Sequence, residues 1–242
     1  MSEIWFPILL TVVAMLYASV GHGGASGYLA LMALFSFSTD MMRPTALLLN
    51  LFVSGIAFIQ FHRAGHFKWR LFWPFAITSI PMAWLGAQIE LDPLIYERIL
   101  AVCLLVAVAR MLGLFGPRDR TVTPPPTTLA LIIGAALGLV SGLIGIGGGI
   151  LLSPLLLVFG WSTTKESAGI SAAFIFVNST AGMIGLGDMA TVMTGDHLIW
   201  IAAVLVGGLM GAYTGALRLS EIRLRQVLSV VLILASVKLF WA

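Results

Sequence analysis

Charged residues divide this chain into long uncharged runs. Asp, Glu, Lys and Arg are absent from residues 4–39, 44–62, 71–89, 99–109, 121–164, 167–187, 197–217 and 226–237. A membrane-crossing helix needs about 20 apolar residues, so most of these runs suit one crossing each. Residues 4–39 and 121–164 are too long for that. As one helix, 4–39 would extend roughly 54 Å at about 1.5 Å per residue, against a hydrocarbon core of about 30 Å. Each overlong run carries a glycine cluster, Gly21 to Gly27 in the first and Gly142 to Gly149 in the second. Glycine reaches backbone conformations closed to other residues. The pattern therefore predicts that each run stops at its glycines and folds back.

The two clusters belong to an internal repeat. Val20-Gly21-His22-Gly23-Gly24-Ala25 matches Ile144-Gly145-Ile146-Gly147-Gly148-Gly149, and Leu85-Gly86-Ala87 matches Met210-Gly211-Ala212. Arg110 and Lys238 correspond near the ends of the two halves. The expected division is a first transmembrane repeat over 1–115, a Pro-rich cytoplasmic linker over 116–126 and a second transmembrane repeat over 127–242. Charges and the run Pro124-Pro125-Pro126 keep the linker from continuing a helix.

Lys and Arg stay on the cytoplasmic side of membrane proteins, which tests the fold-back. If 127–160 crosses once, seven of the 13 Lys and Arg face inward, which is no bias. If it folds back, only Arg43, Arg98 and Lys238 of the 13 face outward. The fold-back arrangement wins. It places Arg63 and Arg223 on one face and puts both termini outside. Equivalent loops then swap charge sign: acidic 185–197 corresponds to basic 62–70, and basic 216–225 to acidic 88–98. The halves are expected to be inverted. The fold class expected is all-α: a polytopic transmembrane helical bundle of two inverted repeats, each with a glycine-broken helix pair plus three spanning helices, with about eight spans by hydropathy and about ten helical segments.

Composition agrees. Hydrophobic residues make up 60% and charged residues 10%, where a soluble domain carries about 25% charged. Mean hydropathy is +1.04. The net charge of +3 does not point to nucleic acid, because the positive charges sit in short loops between apolar runs and set topology instead. Cys103 is the single cysteine and forms no internal disulfide. Glu3 stands where a secretory signal carries basic residues, so the first apolar run is expected to be retained. Trp5, Trp69, Trp73, Trp161 and Trp241 fall near span ends, as an interfacial belt does.

The candidate substrate site lies at the two breaks. Backbone N–H groups freed there face no acceptor in hydrocarbon, and a helix N-terminus favours negative charge. Candidates are Gly21, His22, Gly23, Gly24, Ser26, Gly145, Gly147, Gly148 and Gly149, with Asn50, Ser54, Ser171, Asn178, Ser179 and Thr180 from the spans that follow. His22 is suited to binding an anion or carrying a coupling proton, with an unperturbed pKa of about 6.5; a neutral histidine bonded to backbone is the plainer alternative. The asparagines and hydroxyls could equally serve interhelical hydrogen bonding. Arg110 and Lys238 are expected to snorkel.

An intramembrane enzyme fits poorly. There is no membrane-embedded Asp pair and no HExxH motif, Asp188 and Asp196 fall in a predicted outside loop, and a Ser141–His22 pair would join different halves. No nucleotide-binding motif is present, so a proton or ion gradient, or the substrate's own, would drive transport. No cofactor or metal is expected. A channel or an uptake permease for another small solute is the alternative.

The paired glycine motifs at 20–27 and 144–149, Pro154 after the second, the two-repeat length and the proline-rich linker resemble the TauE/SafE sulfite exporter family, also called TSUP. The resemblance spans nearly the whole chain. It implies transport, often outward, of small sulfur-containing anions such as sulfite or organosulfonates across a bacterial inner membrane. His22 and Ala25 depart from the all-glycine second motif. Substrate identity, direction, coupling ion and any homo-oligomer are left open.

Overall fold

A computed structural model describes residues 2–112, 122–187, 195–217, 233 and 236–239. The expectations for residues 113–121, Asp188, Arg218, Arg223, Arg225 and Trp241, and for the Arg110 side chain, lie outside the described residues. Among those described the chain forms helices α1 (Ser2–Ser19), α2 (Ala25–Leu34), α3 (Thr39–Arg63), α4 (Trp69–Gln88), α5 (Pro93–Met111), α6 (Thr127–Ile144), α7 (Gly149–Val158), α8 (Thr164–Leu186) and α9 (Gly195–Leu217). Among the described residues, four stretches are long and apolar enough to cross a bilayer: α3, α6, α8 and Gly195–Gly215 of α9.

Both overlong runs fold back. After α2 the chain returns to where α1 began: Phe35 and Phe37 pack on Phe6 at 5.4 and 5.1 Å between ring centroids. In the second run, Thr123 N just before α6 donates to Gly160 O just after α7, at 3.0 Å. The doubling back also explains Trp161. It is buried, stacked on Phe159 at 4.7 Å, and does not join the lipid-facing belt of Trp5, Trp69 and Trp73.

Opposed residues give the helix directions. Gly134, Gly138 and Gly142 of α6 lie against Phe75, Ser79 and Ala83 of α4, so these helices are parallel. Gly207, Gly211 and Gly215 of α9 lie against Thr11, Met15 and Ser19 of α1, again in parallel. In both pairs a Cβ on the glycine would run into a carbonyl oxygen of the partner helix. Such backbone contact is how small residues join helices where lipid offers no hydrophobic drive. Along α3 and α8 the numbers run oppositely: Leu47 meets Gly182, Asn50 meets Ser179 and Gly55 meets Phe176. The two equivalent helices are antiparallel, which is the inversion.

The halves are also interleaved. α1 packs mainly on α9 of the second half, and α6 mainly on α4 of the first. Two groups result, each drawn from both halves: α1, α3 and α9 run one way, and α4, α6 and α8 the other. They meet along the α3–α8 crossing.

One end of the bundle carries Arg63, Lys68, Arg70 and Lys165, with Lys68 paired to Glu166 at 2.5 Å. The other carries Asp40, Arg43, Glu90, Asp92, Asp196 and Lys238. Lys238 does not snorkel. Its Nζ donates to Ala33 O at 2.8 Å and Leu34 O at 3.3 Å, where α2's C-terminal dipole attracts a cation. The topology is testable by side-specific thiol labelling in oriented vesicles. Ser38→Cys and Asp92→Cys should react from one side, Arg63→Cys and Thr123→Cys from the other. Labelling of Ser38→Cys and Thr123→Cys from the same side would contradict the fold.

Candidate functional site

Each break is set by left-handed glycines. In the first, Gly21 has φ +75° and Gly24 φ +99°, and Gly24 starts α2. In the second, Gly145, Gly147 and Gly148 have φ +86°, +72° and +71°, and Gly148 starts α7. A side chain in this conformation costs about 1–2 kcal/mol. The first-turn N–H groups of a helix have no intrahelical acceptor, so α2 and α7 each turn a row of donors toward its own break.

One side chain joins the two breaks. Asn50 of α3 is fully buried, and its Oδ1 accepts from Ala25 N at 3.3 Å, at the start of α2. Its Nδ2 donates to Ser179 Oγ of α8 at 3.0 Å. Gly23 and Gly147 press on the same amide: a Cβ on Gly23 would overlap Oδ1, and one on Gly147 would overlap Nδ2 and lie 3.1 Å from Ser179 Oγ. The Asn50 carboxamide thus puts an electron-rich oxygen on the N-terminus of one half-helix and touches the break that starts the other. Each N-terminus carries roughly half a positive charge.

Around this centre the polar groups are largely satisfied. Tyr28 OH donates to Gly23 O at 2.8 Å, and Tyr17 OH shares a hydrogen bond of 2.7 Å with Ser26 Oγ. His22 reaches the second half, its Nε2 3.0 Å from Ser153 Oγ on α7. Ser153 Oγ in turn lies 2.6 Å from Ser171 Oγ on α8. Ser54 bonds only to Leu51 O of its own helix, at 3.4 Å. Asn178 Nδ2 donates to Phe174 O at 2.8 Å, while its Oδ1 is buried without a partner. Thr180 bonds to Phe176 O at 2.8 Å on the outward side of α8, away from Asn50. The structure therefore brings Gly23, Asn50, Gly147 and Ser179 together, sets His22 with Ser171, and leaves Ser54 and Thr180 on their own helices.

A cleft of about 560 Å³ opens at the acidic end and reaches toward the second break. Arg43, Thr45, Tyr96 and His197 line it. Tyr96 OH donates to Ile144 O at 3.1 Å, and Thr45 Oγ1 lies 3.1 Å from His197 Nε2. Arg43 donates to Gly86 O, Ala87 O and Ile89 O, closing the C-terminus of α4, and its backbone lies against Gly145. Arg43, Tyr96, His197, Ser153, Tyr17 and Tyr28 are absent from the sequence candidates for the site. The one signal for Ser153 was a hydroxyl one turn beyond Gly149 in an otherwise apolar run.

Residues 6–239 match the family described as Sulfite exporter TauE/SafE. The chain is also 39% identical over 244 residues, 99% of either chain, to a protein of Sinorhizobium fredii described as "Probable membrane transporter protein y4hK". No solved structure matches it. A family match over nearly the full length, on an all-helical inverted bundle with two glycine breaks, makes this protein a multi-pass membrane transporter of the TauE/SafE sulfite exporter family.

Proposed function

We propose that the protein is a secondary transporter that exports small sulfur oxyanions, sulfite or organosulfonates, and binds them where the two glycine breaks meet at Asn50. The observation that carries this reading is the Asn50 amide: its Oδ1 sits on the α2 N-terminus beside Gly23, and its Nδ2 borders Gly147 and Ser179. The N–H groups at the two half-helix N-termini that meet at this amide suit an anion and need no fixed cation. The family description supplies the sulfite and the outward direction.

Transport follows from the two-group packing. The groups α1–α3–α9 and α4–α6–α8 meet at the α3–α8 crossing, so rocking one against the other opens the centre to each side in turn. The acidic-end cleft is the approach from one side. With the Arg63–Lys68–Arg70 end in the cytoplasm, as positive residues are, the cleft faces outward and both halves sit in a bacterial inner membrane. Binding, rocking and release make and break no covalent bond, so no enzymatic step is assigned.

Purified protein in liposomes tests this. Flux of radiolabelled sulfite and methanesulfonate should exceed empty liposomes at least tenfold and accelerate when unlabelled anion is present on the far side. Flux without trans-acceleration would make it a channel, and absence of flux for both anions and for sulfate would remove the anion reading.

A further inference from the structure

The first break carries a polar arm that has no counterpart in the second. His22 corresponds to Ile146 in the repeat, so only one half places a titratable side chain in its break. His22 Nδ1 lies 2.9 Å from Val20 O, which accepts the Nδ1–H. That leaves Nε2 toward Ser153 Oγ at 3.0 Å, and Ser153 Oγ toward Ser171 Oγ at 2.6 Å. The three side chains come from the first break, α7 and α8, and are 3%, 0% and 0% exposed. Ser171 is two turns from the start of α8 at the basic end, where Gly21 also packs on Ala168.

We propose that His22, Ser153 and Ser171 form a proton path, and that His22 carries the proton that couples this transporter to a pH gradient. This rests on the anion-transport reading. Hydroxyls relay protons without net chemistry. A proton reaching Ser171 Oγ from the basic end releases the Ser171 hydrogen to Ser153 Oγ. Ser153 then gives its own hydrogen to His22 Nε2. Both hydroxyls are re-formed with reversed orientation, and the imidazole becomes an imidazolium. Release retraces the chain or leaves His22 directly once the groups have rocked.

The surroundings suit a single coupling group. Among the described residues, the titratable groups on elements packed around the first break are few. Tyr17 on α1 and Tyr28 on α2 have hydroxyls held by Ser26 and Gly23. α7 has none. α8 has only Lys165 and Glu166, in its first turn, and Glu166 is paired with Lys68. α3 has Asp40 and Arg43 near its start and His62 and Arg63 at its end. An imidazolium at position 22 raises the positive potential at the break beside Gly23, so proton and anion favour each other's binding. Reciprocal coupling of this kind carries a proton out with each exported anion, driven by the anion's own gradient, and lets an imposed proton gradient drive the same step in liposomes.

The experiment uses methanesulfonate, which stays fully ionised between about pH 5 and 9 and carries no proton of its own. In liposomes with an internal pH dye, an imposed pH gradient should raise wild-type methanesulfonate flux about tenfold, with proton movement in the same direction. In His22→Gln and Ser153→Ala the ratio of flux with gradient to flux without should fall to about one, whatever their anion-exchange rate. His22→Gln keeps hydrogen-bonding capacity and guards against misfolding; folding is checked by monodisperse elution. Wild-type flux that ignores the gradient, or variants that keep the full ratio, would overturn the proton path alone. Absence of wild-type flux would overturn the anion reading beneath it.

Discussion

Alanine at Gly23 should lower anion flux about a hundredfold, equivalent to some 2.7 kcal/mol. Gly23 is not glycine for its backbone angle; it lies outside the left-handed region that Gly21 and Gly24 occupy. It is glycine because the Asn50 side chain stands where its Cβ would be. An added methyl must push the carboxamide aside, and Ala25 N and Ser179 Oγ lose their shared partner. A buried donor left unsatisfied costs about 1–3 kcal/mol. Gly65 supplies the opposite control. It has φ +77° and nothing within 4 Å of an added Cβ. Gly65→Ala therefore meets backbone strain alone, about 1–2 kcal/mol of stability, and should transport within about threefold of wild type. Gly147 combines left-handed φ with contact on Asn50 Nδ2, so Gly147→Ala should be at least as impaired as Gly23→Ala. Flux per folded molecule is the readout. If Gly65→Ala fails as badly as Gly23→Ala, strain rather than the clasp on Asn50 governs transport.

How much of this could be read from the sequence depends on the kind of information each residue carries. Length against bilayer thickness dictated the two fold-backs, and the paired glycine clusters located them. Loop charges sorted Arg63, Lys68, Arg70 and Lys165 to one end and Arg43 and Lys238 to the other, as the described residues are. Those are one-dimensional signals. Which face a helix turns to its neighbours is not, because a spanning helix that is apolar all round carries no amphipathic stripe. Thr180 adjoins Ser179 in the sequence as a second polar residue, but neighbours on a helix point about 100° apart. One reaches Asn50 and the other turns outward. The interleaving of α1 with α9 and α6 with α4 was equally hidden. The glycines at 134, 138, 142, 207, 211 and 215 recur every fourth residue, but that spacing does not name the helix they meet. In the sequence Lys238 reads as a snorkelling residue near a helix end and Arg43 as an outward-facing charge. Their role, closing the carbonyl ends of α2 and α4, depends on contacts some 205 and 43 residues away.

Asparagine at position 50 can be replaced by a group of the same shape and opposite consequence. In Asn50→Asp the carboxylate keeps the acceptor that faces Ala25 N. Its second oxygen takes the place of Nδ2 and can accept from the Ser179 hydroxyl, which only needs to rotate. Two half-helix N-termini face this position, and each favours a negative charge by about 0.3–1 kcal/mol or more. The variant should therefore fold, with thermal stability close to wild type. Transport should not survive. A fixed negative charge about 4 Å from a bound anion opposes it by roughly 4 kcal/mol at an effective dielectric of about 20, which is about a thousandfold in affinity. The carboxylate occupies the cradle as an immobile version of the substrate. Acidification should restore flux as the side chain takes up a proton and becomes neutral. Asn50→Leu differs on both counts: it strands Ala25 N and Ser179 Oγ, lowers stability and transports poorly at every pH. Sulfite and methanesulfonate flux measured from pH 5 to 8, with unfolding followed alongside, separates the two. An Asn50→Asp protein that moves anions normally at pH 8 would show that the meeting point of the breaks does not hold negative charge, and the substrate would have to be sought elsewhere in the bundle.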